Sequence, residues 1–222
     1  MHHRFIVFDL DGTLVESLPG IAEGVARAMA ALGLPAPEPE RVRGMIGFGA
    51  KHLCAQALGY ESTSAAPPEL LEAMYDNFCR EYPHCWQGDY TLPYPGAPEL
   101  LERLQSAGAR LAVLSNKPHA VTHPMVRALF PRVGFDPILG YTGSFPRKPA
   151  PDALLHIAEQ WQQPVSALTL VGDSCYDAQT ARNAGAHLLL VDWGYAQHAD
   201  LQATGAPIAH SMAELAARLL GT

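Results

Sequence analysis

Residues 4–13, RFIVFDLDGT, decide the fold of this chain, because a short apolar run ends there in two carboxylates. The apolar run at 4–8 predicts a buried β-strand. Side chains alternate along a strand, so Asp9 and Asp11 lie on one side at its carboxyl end, the edge where open α/β sheets bind ligands. Two like charges held together there require a cation or a chemical role. The alternative is a turn, in which residues 13–16, TLVE, form a capping box for the next helix.

Length and composition exclude several classes of protein. A chain of 222 residues can bury a proper core, and its formal net charge of -7 disfavours binding to nucleic acid or to an anionic membrane. No apolar stretch approaches the roughly 18 residues that span a bilayer, and the first residues lead into a strand rather than a signal peptide. The four cysteines form no CxxC pair. We expect a cytoplasmic protein with reduced thiols, a monomer or a weak homo-oligomer.

Apolar periodicity divides the chain into a helical part and an alternating part. Residues 21–32 and 70–82 each carry apolar side chains at helical spacing, the first helix ending at Gly33 and the second before Pro83. From Pro93 onward, apolar strands alternate with helices. The strands are predicted at 110–114, 168–171 and 187–191, and the helices near residue 100 and at 118–129, 151–161 and 177–184.

This alternation predicts an α/β fold with a doubly wound parallel sheet, because continuous apolar strands separated by helices are covered on both faces. We expect residues 1–15 and 90–222 to form this core. Residues 16–89 are predicted to be a small helical domain inserted into it, with Pro93, Pro95 and Gly96 as the return hinge.

Each predicted core strand delivers polar groups to the same edge as the first acid pair. Residues 115–117, SNK, follow one strand, and residues 172–174, GDS, follow another, with Asp177 shortly after them. Lys148 precedes a helix start marked by Pro149 and Pro151. This convergence predicts an active site at one edge of the sheet.

The residue types at this edge suit a phosphate and a hard cation. A hydroxyl and backbone N–H groups at a helix start hold anionic oxygens, so Ser115 and Asn116 before Pro118 suit a phosphate, or else form a helix cap. Asp9 and Asp173 offer oxygen ligands of the kind that Mg²⁺ takes. Asp177 fits either the metal shell or the capping box of residues 174–177, and Lys148 taken alone fits a solvated loop lysine.

Phosphoryl transfer needs a nucleophile in line, neutralised charge and a proton donor for the leaving oxygen. Asp9 can attack phosphorus to give an aspartyl-phosphate, while Asp11 protonates the leaving alkoxide and then activates water. We therefore predict a Mg²⁺-dependent hydrolase of a small phosphorylated metabolite.

The motifs DLDGT, RKPAPD and GDSCYD, together with Ser115 at its strand end, resemble the haloacid dehalogenase superfamily, whose members are mostly Mg²⁺-dependent phosphatases. The resemblance implies that Asp9 is the nucleophile, Asp11 the acid/base and Lys148 the group that steadies the phospho-enzyme. It implies Mg²⁺ on Asp173 and Asp177, with a further ligand from the backbone carbonyl of Asp11. It also implies that the helical insert is a cap that closes over small substrates.

Residues 41–51, RVRGMIGFGAK, are the most unusual stretch of the insert, and we interpret them as a loop. Arg43 or Lys51 there can meet a substrate carboxylate, or else form a solvated helix end. The segment RGMIGFG and residues 193–195, WGY, are similar to phosphoglycolate phosphatases, which makes 2-phosphoglycolate the first expectation for the substrate.

Several alternatives stay open. A sugar phosphate or pyrophosphate phosphatase shares the core motifs, and so does a phosphosugar mutase of the β-phosphoglucomutase type. A signalling receiver domain of different class also combines Asp, Ser or Thr and Lys with Mg²⁺, although the long helical insert disfavours it.

Overall fold

A six-stranded parallel sheet forms the centre of the computed structural model, which describes residues 3–221. Its strand order is β5-β4-β1-β6-β7-β8, and every pair is parallel. The strands are β1 (Phe5–Phe8), β4 (Arg110–Pro118), β5 (Phe135–Tyr141), β6 (Leu168–Gly172), β7 (His187–Val191) and β8 (Ile208–Ala209). The chain winds from β1 outward in both directions, so the polarity of the winding switches beside β1, where such sheets bind ligands.

Helices cover both faces of this sheet. They are α5 (Ala97–Ser106), α6 (His119–Leu129), α7 (Asp152–Gln160), α8 (Cys175–Ala184), α9 (His198–Ala203) and α10 (Met212–Leu220). Val7 packs in a core cluster with residues of α7 and α8. Ile6 and Phe8 point to the opposite face by strand alternation and are also fully buried. The predicted doubly wound α/β fold is confirmed.

A second group of helices lies between β1 and α5 in the chain. It comprises α1 (Leu18–Ala31), α2 (Pro39–Arg43), α3 (Ala50–Ala57) and α4 (Pro68–Cys85), followed by a short 3-10 turn at Gly88–Tyr90. Helices α1 and α4 pack closely because Gly24 has no side chain, and a Cβ there would press on the rings of Phe78 and Tyr82.

The chain divides into two compact units. One contains the described part of residues 1–15 and 93–222, and the other contains residues 16–92. The chain passes from one unit to the other within β2 (Val15–Glu16) and again within β3 (Leu92–Pro93), and these two strands form a two-stranded sheet. The role of the helical unit as a cap stays a prediction. No helix within residues 3–221 combines the length and apolar character needed to cross a bilayer.

Strand β4 is longer than predicted, and its neighbour β5 was not predicted. The run at 115–117 lies inside β4, which continues to Pro118. The helix predicted at 118–129 is present as α6, but Ser115 and Asn116 do not cap it, because it begins at His119. Pairing with β5 sustains this extension, since Pro118 aligns with Tyr141. Strand β5 contains Pro137 and Gly140, which are typical of loops, and this is why the sequence did not predict it. Proline is tolerated there because β5 is an edge strand.

In the first 90 residues, the structure excludes one alternative and corrects two local expectations. Residues 13–16 form no capping box, because Val15–Glu16 is a strand and α1 begins at Leu18. Helix α4 continues through Pro83 to Cys85, since Tyr82 and Cys85 are buried and hold its last turn in place. The segment 41–51 is a loop only at 44–49, because its ends belong to α2 and α3.

Candidate active site

Three aspartates meet at the carboxyl edge of the sheet. Asp9 follows β1, Asp173 follows β6, and Asp177 lies in the first turn of α8. Each offers a carboxylate oxygen, and these oxygens lie within 4.8 Å of one another, all three residues being buried. The chain thus concentrates negative charge away from water, at the position where the sequence predicted it.

Glycines allow the carboxylates to come this close to the backbone. A Cβ on Gly172 would overlap the carboxylate of Asp177, and a Cβ on Gly12 or Gly194 would overlap that of Asp173. Gly12 also has a φ of 80°, which favours glycine. Backbone from three separate segments therefore wraps the acidic cluster directly.

Lys148 neutralises part of this charge. Its ammonium lies 2.6 Å from Asp177 Oδ1 and 3.0 Å from Asp9 Oδ1, and the residue is 3% exposed, which rules out a solvated loop lysine. The Asn116 side chain fixes its backbone at two points. Asn116 Nδ2 donates to the Lys148 carbonyl at 3.0 Å, and the Lys148 N–H donates to Asn116 Oδ1 at 2.8 Å. The amide of Asn116 thus positions Lys148.

Asp173 and Asp177 are held by hydrogen bonds from neighbouring segments. The Thr13 hydroxyl donates to Asp173 Oδ1 at 3.0 Å, and the Tyr195 N–H donates to Asp173 Oδ2 at 2.8 Å. Asp177 closes a capping box with Ser174, whose N–H and hydroxyl both donate to Asp177 Oδ2. The capping box predicted for α8 is confirmed, and Asp177 also belongs to the acidic cluster.

Asp11 has a separate partner that sequence reasoning missed. Lys117 Nζ donates to both carboxylate oxygens of Asp11, at 2.9 and 3.0 Å, and the two side chains are 4% and 11% exposed. The available signal was the position of Lys117 in the run 115–117, at the same sheet edge as the acids. The pair keeps the Asp11 side chain oriented beside the acidic cluster.

Burial and mutual repulsion shift the ionisation of the cluster. Burial, followed by the Asp177 charge, raises the pKa of Asp9 to about 7 although Lys148 lowers it. Burial and the charges of Asp9 and Asp177 raise the pKa of Asp173 to about 8. Burial opposes the charged form of Lys148, yet the charges of Asp177 and Asp9 outweigh it and raise the pKa of Lys148.

The acidic cluster fits a divalent cation. Three carboxylates face a single ammonium there, and Asp9 Oδ1, although ion-paired with Lys148, receives no hydrogen bond. Hard oxygen donors of this kind suit Mg²⁺ better than zinc, which prefers nitrogen and sulfur. A bound cation would offset the repulsion among the three carboxylates and would give Asp9 Oδ1 a further partner.

The remaining predicted site residues fall into two places. Ser115 is buried at the sheet edge, and its hydroxyl accepts a hydrogen bond from the Lys117 N–H at 3.3 Å. Arg43 and Lys51 belong to the helical unit, where Arg43 Nε lies 3.0 Å from Glu40 and Lys51 pairs with Glu72. Both cations therefore already have carboxylate partners.

Known proteins resemble the chain along most of its length. A family model described as haloacid dehalogenase-like hydrolase matches residues 6–191. A phosphoglycolate phosphatase of Chromobacterium violaceum is 34% identical over 215 residues, covering 96% of this chain and 95% of that protein. The phosphoglycolate phosphatase of Pseudomonas savastanoi pv. phaseolicola is 35% identical over 193 residues, covering 86% and 70%.

Solved structures share the fold. A crystal structure from Lactobacillus delbrueckii subsp. bulgaricus, named there as a proposed phosphoglycolate phosphatase, superposes with a TM-score of 0.91. It is 28% identical in sequence, and the match covers 100% of both chains. The similarity therefore includes both units of the chain.

Proposed function

Because the chain belongs to the haloacid dehalogenase-like hydrolase family and is a phosphatase of that family, we propose that it hydrolyses a small phosphomonoester through an aspartyl-phosphate on Asp9. The observation that carries this proposal is the buried cluster of Asp9, Asp173 and Asp177 around the Lys148 ammonium. A nucleophilic carboxylate beside a fixed cation is the arrangement that attack on a phosphate dianion requires.

In the first step, an Asp9 carboxylate oxygen forms a bond to phosphorus while the bond between phosphorus and the ester oxygen breaks. Asp11 supplies the proton that converts the leaving alkoxide into an alcohol. Lys148 and the hydroxyl of Ser115 hold the charge of the transferring group. Lys117 positions Asp11 through its ion pair, because both oxygens of that carboxylate are in contact with the ammonium.

In the second step, Asp11 removes a proton from water, and the water oxygen attacks phosphorus of the aspartyl-phosphate. The bond between phosphorus and the Asp9 oxygen breaks, which releases inorganic phosphate and restores the carboxylate. Residues 16–89, the helical insert, are proposed to act as a cap that excludes bulk water from these steps.

Mg²⁺ would be held by Asp9, Asp173, Asp177 and the Asp11 carbonyl, and when bound it supplies the positive charge that lets a carboxylate approach a phosphate dianion. The repulsion between like charges at close range amounts to several kcal/mol even under moderate screening. The protein's own part is to present buried, preoriented carboxylates, since Thr13 and Tyr195 fix Asp173 and Ser174 fixes Asp177.

The substrate proposed first is 2-phosphoglycolate. The curated relatives at 34% and 35% identity are named phosphoglycolate phosphatases, and the chain is similar to them over most of its length. Arg43 and Lys51 were the sequence-based candidates for its carboxylate. The structure offers a different candidate in Arg147 of the α/β unit.

The proposed function is tested by hydrolysis of 2-phosphoglycolate and 4-nitrophenyl phosphate with Mg²⁺, with EDTA, and with Mg²⁺ restored. Chelation is expected to stop turnover on both esters and restored Mg²⁺ to recover it. Asp9→Asn is expected to lower kcat by about a thousandfold or more, since it removes the nucleophile.

One control and one direct measurement accompany this experiment. Arg132→Met breaks an exposed ion pair with Glu102 and is expected to leave turnover unchanged. Trapping of a phosphorylated peptide that contains Asp9 reports the intermediate directly. Turnover without a divalent metal, or normal activity of Asp9→Asn, would exclude the proposed mechanism.

A further inference from the structure

A cavity of about 210 Å³ opens between the carboxyl ends of β4 and β5, beside the acidic cluster. Its lining includes Ser115 and Lys148, which the proposed function assigns to the phosphate. Polar side chains of Asn116, His119, Ser144 and Arg147 line it as well. The cavity is smaller than the roughly 300–1,000 Å³ of sites for drug-sized ligands, so it suits part of a small metabolite.

Arg147 is the one lining residue whose charge the protein leaves uncompensated. It is partly buried, and its Nε is buried without a hydrogen-bond partner. Among residues 3–221, no carboxylate lies within ion-pair distance of its guanidinium. Burying a polar N–H without an acceptor is costly, so this position favours a ligand that supplies an acceptor, such as an anion.

The guanidinium of Arg147 is also held in one orientation. Its central carbon lies 3.5 Å from the centroid of the Tyr141 ring, a stacked cation–π contact. Stacking on the ring face occupies none of the in-plane N–H groups of the guanidinium, and the fork that these groups form matches the two oxygens of a carboxylate. Arg43 and Lys51 differ, since each already contacts a glutamate in its own unit.

The charge balance points in the same direction. The site holds the carboxylates of Asp9, Asp11, Asp173 and Asp177 against the ammonium groups of Lys117 and Lys148. A divalent cation would balance this set before any substrate enters. A phosphate ester adds negative charge to this balanced set, and a carboxylate adds more, which favours a further cation at the site. Arg147 directly precedes Lys148 in the chain.

We propose that Arg147 binds a carboxylate of the substrate in this cavity, which makes the preferred substrates small phosphorylated acids whose phosphate and carboxylate are a few bonds apart. The assignment rests on the proposed phosphatase function. It places the recognition of the carboxylate on the α/β unit, whereas the sequence alone had suggested Arg43 of the insert.

The test compares 2-phosphoglycolate with ethyl phosphate, which has a methyl group in place of the carboxylate. Arg147→Gln is expected to lower kcat/KM for 2-phosphoglycolate about tenfold or more and that for ethyl phosphate less than about twofold, since only the acid loses a partner. Arg147→Lys keeps the positive charge but lacks the two-pronged guanidinium. Its kcat/KM for 2-phosphoglycolate should lie between those of the wild type and Arg147→Gln. Arg103→Gln, an exposed arginine of α5, is the matched control and is expected to change neither value.

The rate on ethyl phosphate shows in each variant whether the catalytic site is intact. Equal losses on both substrates, no loss on either, or a wild type that prefers ethyl phosphate would overturn the assignment and leave the phosphatase function standing. A wild type that hydrolyses neither ester with Mg²⁺ would overturn the proposed function, and the assignment with it.

Discussion

The ion pair between Asp11 and Lys117 shows how a single contact can control the proposed chemistry. An acid/base group must exchange a proton with two different oxygens, and its placement decides whether it reaches either of them. Lys117 contacts both oxygens of Asp11 from the carboxyl end of β4. Asn116, one residue earlier, positions Lys148 through two hydrogen bonds between its side-chain amide and the Lys148 backbone. Adjacent residues of one strand therefore position two different proposed catalytic groups.

Lys117→Met is expected to reduce kcat/KM about tenfold or more on ethyl phosphate, because Asp11 loses its anchor. The loss should be smaller on 4-nitrophenyl phosphate, whose leaving group departs without a proton. Kinetics on both esters, with a thermal melt for each variant, check the prediction. Equal losses on the two esters would mean that Lys117 does not act through Asp11. Arg132→Met serves again as the control for breaking an ion pair.

At the level of elements, the site depends on how closely backbone segments approach the carboxylates. The segment after β7 passes Asp173 at Gly194 and donates the Tyr195 N–H to it. The end of β6 passes Asp177 at Gly172. With Gly12 after β1, which also meets Asp173, three segments at strand ends surround the acidic groups, and their glycines permit the short distances.

Gly194→Ala is expected to weaken Mg²⁺ binding about tenfold, because the added methyl group must displace the Asp173 carboxylate. The measurement is the Mg²⁺ concentration that gives half-maximal activity. Gly44→Ala is the matched control, since a Cβ there meets no atom closer than 3.8 Å. An unchanged Mg²⁺ requirement in Gly194→Ala would show that Asp173 need not hold its observed position.

For the whole molecule, the acidic cluster lowers the free energy of unfolding, and a bound cation would raise it again. The pKa values of Asp9 and Asp173 lie at about 7 and about 8, above the ordinary value of 3.8, chiefly because both groups are buried. The folded state therefore holds protons that the unfolded chain has already lost between about pH 4 and pH 8. Stability from these groups accordingly falls as the pH rises through that window.

In EDTA, Asp173→Asn is expected to gain stability relative to the wild type as the pH rises from 5.5 to 8.5. The substitution removes a carboxylate whose ionisation opposes folding, and a gain of 1 kcal/mol corresponds to roughly 2–4 °C in Tm for a chain of this size. Mg²⁺ should raise the Tm of the wild type at pH 8.5 more than that of the variant.

Thermal melts at the two pH values, with and without Mg²⁺, check this expectation. Asp76→Asn, an exposed residue of α4, controls for the loss of one negative charge. A Tm difference between Asp173→Asn and the wild type that does not change with pH would contradict the raised pKa of Asp173.

The sequence by itself determined the α/β class, the first strand with its acid pair and the strands that carry Ser115 and Asp173. These features follow from local periodicity, because a buried strand needs a continuous apolar run and an active site at its end interrupts that run with polar residues. The order of motifs along the chain was enough to gather most of the site residues at one edge of the sheet.

Only the tertiary structure decided which partner each of these groups has. Lys117 meets Asp11 across 106 positions of sequence, and Asn116 meets Lys148 across 32. Strand β5 exists because β4 lies beside it, although its own residues suggest a loop. Contacts of this kind depend on sheet order and register, which no local pattern records. They turn a set of polar residues into a site with assigned partners, and they place Arg147 against the Tyr141 ring with its Nε buried and without a hydrogen-bond partner.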